Sequence, residues 1–296
     1  MNNDFEKRLV PEIPLKDKVL RIIIDTDAAN EIDDLYAIAL AIKSPDRFNI
    51  EGFVVTHFAA SGGPESTELS YNILLKLLIE AGMQNKYVVK KGGHPIRYSN
   101  TPSHSEGVDY IIERARAGSE NDPLWVLGLG ASTNLASAIL LAPDIIPKVR
   151  YIFHARSENT WPERSVQYNV YGDIIAAKTL LESNVPLVWF DTGTHICADY
   201  LTTKKYLSTE GSLGTFLHSY RDTRVDFMSK EKGFFDLGDV AYLINPDICK
   251  TEILPTPSMT RWMYFDHNLT FGKMLRVSDI DVKEVWRIMF ERIKRN

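Results

Sequence analysis

The stretch Arg21-Ile-Ile-Ile-Asp25-Thr-Asp27-Ala-Ala-Asn30-Glu31-Ile-Asp33-Asp34 decides how the rest of the chain is read. Its apolar, β-branched run Ile22 to Ile24 predicts a strand buried on both faces, as in a parallel sheet. Ile32 to Ile42 is good helix-forming sequence with few polar positions. Four aspartates, with Glu31 beside them, therefore fall between a strand's C-terminal end and a helix start. That edge of an open α/β sheet is where ligands bind. Carboxylates so close together repel and raise one another's pKa. A helix N-terminus offsets part of this, with Asn30 as N-cap and Asp33 as its capping-box partner, but that explains two of the acids at most. The sharper reading is a hard cation held by carboxylate and carbonyl oxygens, Ca²⁺ being more tolerant of irregular geometry than Mg²⁺. Asp33 and Asp34 diverge by about 100° on a helix, so one can face a metal and the other a substrate.

Composition sets the outer bounds. The 296 residues are 44% hydrophobic and 25% charged, ordinary globular values that predict a substantial core. A net charge of −5 argues against a nucleic-acid partner, which calls for a basic excess. Two cysteines, Cys197 and Cys249, are too few for a disulfide framework. No run is long enough to span a membrane, and the charged stretch 1–17 lacks a signal peptide's apolar segment. A soluble, cytoplasmic protein is the expectation.

Strand and helix patterns alternate over the first two-thirds. Strands are expected at Ile50–Thr56, Lys86–Lys90, Leu124–Gly128, Val149–Phe153 and Val185–Phe190. Helices are expected at Thr67–Ala81, Val108–Ala117, Asn134–Ala142 and Asp173–Glu182. This alternation predicts an α/β fold with a doubly wound, mostly parallel sheet, a Rossmann-like open sheet. The C-terminal third is mixed, with an amphipathic stretch from Leu213 to Met228 and helices at Val240–Ile244 and Val282–Lys294. Short β-like runs near Ile253 and at Trp262–Phe265 read as insertions. The expectation is a single domain over 1–296 with a tail at 1–17.

If the sheet is right, loops after the strand ends meet in one crevice. They carry His57, the segment Gly130-Ala-Ser132-Thr133-Asn134, the stretch His154 to Tyr168, and Asp191. Ser132 or Thr133 also reads as a helix cap, and Asp173 as a helix N-terminal residue. In order along the chain, four segments resemble the inosine–uridine nucleoside hydrolase family. The aspartate stretch is similar to D-x-D-P-G-x-D-D with two residues added, and Gly130 to Asn134 to G-P-L-T-N. Gln167-Tyr168-Asn169-Val-Tyr171-Gly-Asp173 is similar to E-F-N-x-x-x-D, and Phe235-Asp236-Leu-Gly238-Asp239-Val240-Ala241 to H-D-P-x-A-V-A. Val89 to Pro95 adds a weaker match.

The resemblance implies hydrolysis of a ribonucleoside's N-glycosidic bond. It implies Ca²⁺ held by Asp27, Asp34, the Thr133 carbonyl and Asp236, with Asp239 the alternative to Asp236. Asp27 would be the general base, and Asp33, Gln167 and Asn169 would grip the ribose. Asn30 and Trp161 belong to the substrate side, and Asp25 would orient ligands from behind. Phe235 stands where some members carry a proton-donating histidine, so His57, His154 and Asp239 become the candidate acids. Tyr168, Tyr171 and Phe235 join Trp161 as candidates to stack on the base. A small-molecule ribonucleoside and a homo-oligomer (dimer or tetramer) complete the expected partners. Two other readings stand beside this one. A haloacid dehalogenase-like phosphatase also opens on D-x-D, but Ala28-Ala29 follow here, and Gly238-Asp239 lacks an acid four residues on. A calcium-dependent nucleoside or sugar binder without turnover would keep the same acids.

Overall fold

A computed structural model describes residues 8–157 and 159–295. Ile22, Ile23 and Ile24 are fully buried, as a strand covered on both faces requires. They lie in β1 (Leu20–Thr26) of an eight-stranded sheet with β2 (Phe48–Val55), β3 (Val89–Lys91), β4 (Leu124–Gly128), β5 (Val149–His154), β6 (Leu187–Phe190), β7 (Cys249–Met259) and β8 (Phe265–Ile280). The strand order is β3-β2-β1-β4-β5-β6-β8-β7, parallel throughout except for β7, which pairs antiparallel with β8.

Helices α1 (Asp33–Ile42), α2 (Ala59–Gly62), α3 (Ser66–Glu80), α4 (Glu106–Arg116), α5 (Thr133–Leu141), α6 (Tyr168–Gly172), α7 (Ile174–Leu181), α8 (Tyr200–Leu207), α9 (Gly211–Ser219), α10 (Leu237–Ile244) and α11 (Val282–Ile293) complete the fold. Alternation along β1 splits the core. Ile22 and Ile24 join one apolar cluster with α1, α3, α10 and α11, while Ile23 joins another with α4, α5 and α7. The sheet is therefore doubly wound.

This order places the site. The chain runs outward from β1 to β2 and β3, then crosses back so that β4 pairs with the other side of β1. The reversal between β1 and β4 is a topological switch point, where a crevice opens at the carboxyl ends of the strands. The aspartates that follow β1 stand at its lip.

Two features differ from expectation. The β-like runs near Ile253 and Trp262 are a long hairpin that extends the sheet beyond β6, Trp262 lying at its turn. Prolines at 255 and 257 interrupt the strand pattern in β7, and an edge strand tolerates them. Residues 8–17 carry no helix or strand, yet Arg8 is buried and donates to the carbonyls of Val185, Leu180 and Leu181. Residues 1–7 of the expected tail lie outside the described residues. Among the described residues, no helix is long and apolar enough to cross a membrane.

Candidate active site

Helix α1 is buried along its whole length, and so is α10. Their apolar faces pack together, with the Tyr36 and Phe234 rings 4.4 Å apart. That packing carries the residue before α10, Asp236, to the start of α1. The Phe235 and Asp236 amides, 3.1 and 3.4 Å away, donate to one oxygen of Asp33. Oxygens of Asp33, Asp34 and Asp236 all lie within 4.8 Å of one another, close enough to share a cation. Asp27 adjoins them at the end of β1, where the backbone turns so that the Asn30 amide donates to the Asp27 carbonyl at 2.7 Å.

All four acids are buried. Burial, then repulsion from Asp34 and Asp33, pushes Asp27 well above the usual carboxylate range. Burial and Asp33 push Asp34 up to about 7, against the hydroxyl of Thr26 donating to it. Asp236 is likewise raised by burial and by Asp33 and Asp34. Among the described residues, one buried oxygen of Asp33 has no hydrogen-bond partner. Acids that are buried, crowded and short of donors are stabilised by a cation, and an all-oxygen donor set fits a hard one.

These acids line a cavity of about 580 Å³ together with Asn30, Leu129, His154, Gln167 and Asn169, among others. That volume suits a small molecule. Asn30 donates to Asp27 at 3.1 Å. It does not cap α1, because the turn at 27–30 leaves Ile32 in the cap position, where no side chain caps. Gln167 does cap α6, accepting from the amides of Asn169 and Val170. Asn169 donates from its amide to the carbonyls of Leu129 at 2.6 Å and His154 at 3.3 Å. His154 is bonded through Nδ1 to Asp239 at 2.6 Å and lies 3.5 Å from Asp236. Asp239 is thus the histidine's partner, its carboxyl raised mainly by burial. Asp25 sits behind the cluster and accepts from Asn134 at 3.0 Å, while burial lifts it to about 8.

Thr133, His57, Trp161 and Tyr171, all expected at the site, do not line this cavity, Tyr171 being exposed on α6 instead. Thr133 is the first residue of α5, and its hydroxyl donates at 2.6 Å to Asp173, behind the strand ends. The segment's residue on the cavity is Leu129, just past β4. His57 is buried against Thr133, with Nε2 at 2.7 Å from the hydroxyl, and burial lowers its pKa to about 4. A neutral ring that donates to Thr133 and accepts weakly from the Ala59 amide satisfies this network, so His57 is no acid for the cavity. Trp161 packs instead on Phe265 of the hairpin, ring centroids 4.9 Å apart, with the Arg276 guanidinium over it. Asp173, as expected, caps a helix: it accepts from the Ala176 amide at 2.9 Å.

The sequence pattern of the inosine-uridine preferring nucleoside hydrolase family matches residues 22–287. The chain belongs to this family. Its members are N-glycosyl hydrolases, the enzyme class that the motifs implied. The pyrimidine-specific ribonucleoside hydrolase RihB of Escherichia coli (strain SE11) is 26% identical over 78% of this chain and 80% of its own length. An uncharacterized protein of Schizosaccharomyces pombe is 25% identical over 93% of this chain and 99% of its own. A plant nucleoside hydrolase structure superposes with a TM-score of 0.73 at 17% identity, covering 94% of this chain and 100% of that one. A purine-preferring ribonucleoside hydrolase from Gardnerella vaginalis gives 0.71 at 19% identity, over 93% and 98% of the two chains. These identities fit a divergent member of the family.

Sequence reading missed the cationic side of the cavity. Lys232 and Arg224 line it and both pair with Glu31, Arg224 also with Asp226. Arg156 lines it too, with its guanidinium 3.9 Å from the centre of the Phe235 ring. The proximity of Phe235 to Asp236 was the one signal available, since a residue next to a site acid has its side chain near the site.

Proposed function

We propose that this chain hydrolyses the N-glycosidic bond of a ribonucleoside, with Ca²⁺ as its metal. The observation that carries this reading is the crowded set Asp27, Asp33, Asp34 and Asp236 at the switch point, with one Asp33 oxygen unpartnered. Asp27, Asp34, Asp236 and the Leu129 carbonyl would hold the ion, Leu129 taking the place expected of Thr133. When bound, the cation supplies positive charge that makes a neighbouring water more acidic and orients it.

Asp27 accepts the proton of the attacking water as general base, its burial and the neighbouring carboxylates Asp34 and Asp33 raising its basicity above the usual carboxylate range. Asp33 and Asn169 grip the ribose diol, with Gln167 and Asn30 bordering it. As the base departs, oxocarbenium-like charge grows on the sugar, and the surrounding carboxylates stabilise it. Asp25 steadies the strand end from behind through Asn134. His154, tied to Asp239 and set against Asp236, is a positioning residue for that carboxylate, in place of the acid role expected of it. A homo-oligomer and a cytoplasmic location belong to the same proposal.

The test is ribose release from a panel of nucleosides, with and without chelator. Turnover that is lost on chelation and restored by Ca²⁺ supports the reading. Binding of nucleosides without any product would instead make the chain a binder.

A further inference from the structure

Among the described residues three cations line the cavity, and two are already neutralised: Lys232 by Glu31, and Arg224 by Glu31 and Asp226. Arg156 has no carboxylate partner among the described residues, and its buried Nε has no hydrogen-bond partner. Its position is built. The backbone at Arg156 takes a φ of +32°, an uncommon value for a residue with a side chain. The amides of Ala155 and Arg156 both donate to the Phe190 carbonyl, at 2.9 and 3.0 Å, and hold the chain there. The ring under the guanidinium is fixed as well, because Phe235 lies so close to Gly233 that a Cβ there would come within 2.1 Å of it. A guanidinium held over an aromatic face keeps N–H groups for a planar acceptor.

Resting on the hydrolase reading above, we infer that Arg156, laid over Phe235, takes up the negative charge of the departing base. In this step the C1′–N bond breaks and its electron pair passes to the base nitrogen, delocalised onto an oxo oxygen of the base, to which Arg156 donates. Water adds its hydroxyl to C1′, its proton goes to Asp27, and the released base anion takes a proton from solvent. The phenyl ring, with Phe58 and Tyr168 also on the cavity, suits a planar base better than a 5′-phosphate.

The test compares the wild-type chain with R156Q and R156K on uridine, inosine, uridine 5′-monophosphate and 4-nitrophenyl β-riboside, whose leaving group needs no help. R156Q is expected to lower kcat on the two nucleosides by about 10²–10³-fold, the loss typical of one charge-stabilising donor, and on the nitrophenyl riboside by less than about 5-fold. R156K is expected to recover part of the loss. F235L, which removes the ring under the guanidinium, is expected to follow the same split and guards against a misfolded R156Q. Equal losses on all substrates, no loss, or an effect confined to KM for the monophosphate would overturn the inference while the hydrolase reading stands. A wild-type chain that turns over none of the ribosides overturns that reading, and this inference with it.

Discussion

Two sets of buried acids lie on either side of the same strand ends, and they differ in how many donors they meet. Behind the strands, Asp173 accepts from the amides of Ile96 and Ala176 and from the hydroxyl of Thr133, which His57 in turn holds. In front, Asp27, Asp34 and Asp236 face one another, and Asp33 has an oxygen with no partner among the described residues. A buried carboxylate surrounded by donors is a structural joint, while one surrounded by other carboxylates awaits a cation. Residue type does not separate the two sets; the donors around them do.

The comparison breaks most sharply if the front set is dispensable. D27N removes the proposed base from the front set, and kcat is expected to fall by about 10³–10⁴-fold, read by ribose release under saturating substrate. A loss of less than tenfold would move the base elsewhere.

Gly130 sharpens it from the backbone side. A Cβ at this position would lie 2.9 Å from the Asp27 carboxyl carbon and 2.4 Å from the Thr56 methyl. G130A is therefore expected to displace Asp27 and cost about 10²-fold in kcat, the usual effect of a misplacement near 1 Å. A G130A chain with unchanged kcat and unchanged thermal stability would show that this close approach does not set the position of Asp27.

The back set is expected to matter for stability alone. His57 has a folded pKa of about 4 against an ordinary 6.5, so between these values the unfolded chain binds the extra proton. Its contribution to stability is complete above about 6.5 and is lost as pH falls toward 4. H57Q removes this titration. The variant is expected to show a flatter loss of unfolding free energy over that window and a kcat at neutral pH within about threefold of wild type, as for residues outside the reacting groups. A collapse of kcat in H57Q would return His57 to the chemistry.

How much of this was legible in the sequence follows the same division. The strand at Ile22–Ile24, the buried helix after it and the β-α alternation were readable, because periodicity and apolar runs report burial directly. The front acids were readable from their spacing on β1 and α1 and from the later Asp236. His57 was misplaced because a side chain that follows a strand can turn to either side of its end, and spacing does not say which; Thr133 was misplaced because it already belongs to α5, while the segment's residue on the cavity is Leu129 just past β4. Leu129 has no side-chain signature at all, since the role proposed for it belongs to its backbone carbonyl. Trp161 was drawn away by a hairpin whose prolines hid it. Arg156 was invisible because its meaning lies in Phe235, brought to it only by the packing of α10 on α1.

The most direct measurement is calorimetric titration of the metal-free chain with Ca²⁺, alongside D34N and D236N. We predict one site per chain in the wild type, with affinity lost in both variants while their folds persist. Wild-type protein that takes up no calcium, or a D236N chain that binds it as tightly as wild type, would contradict the shared ion.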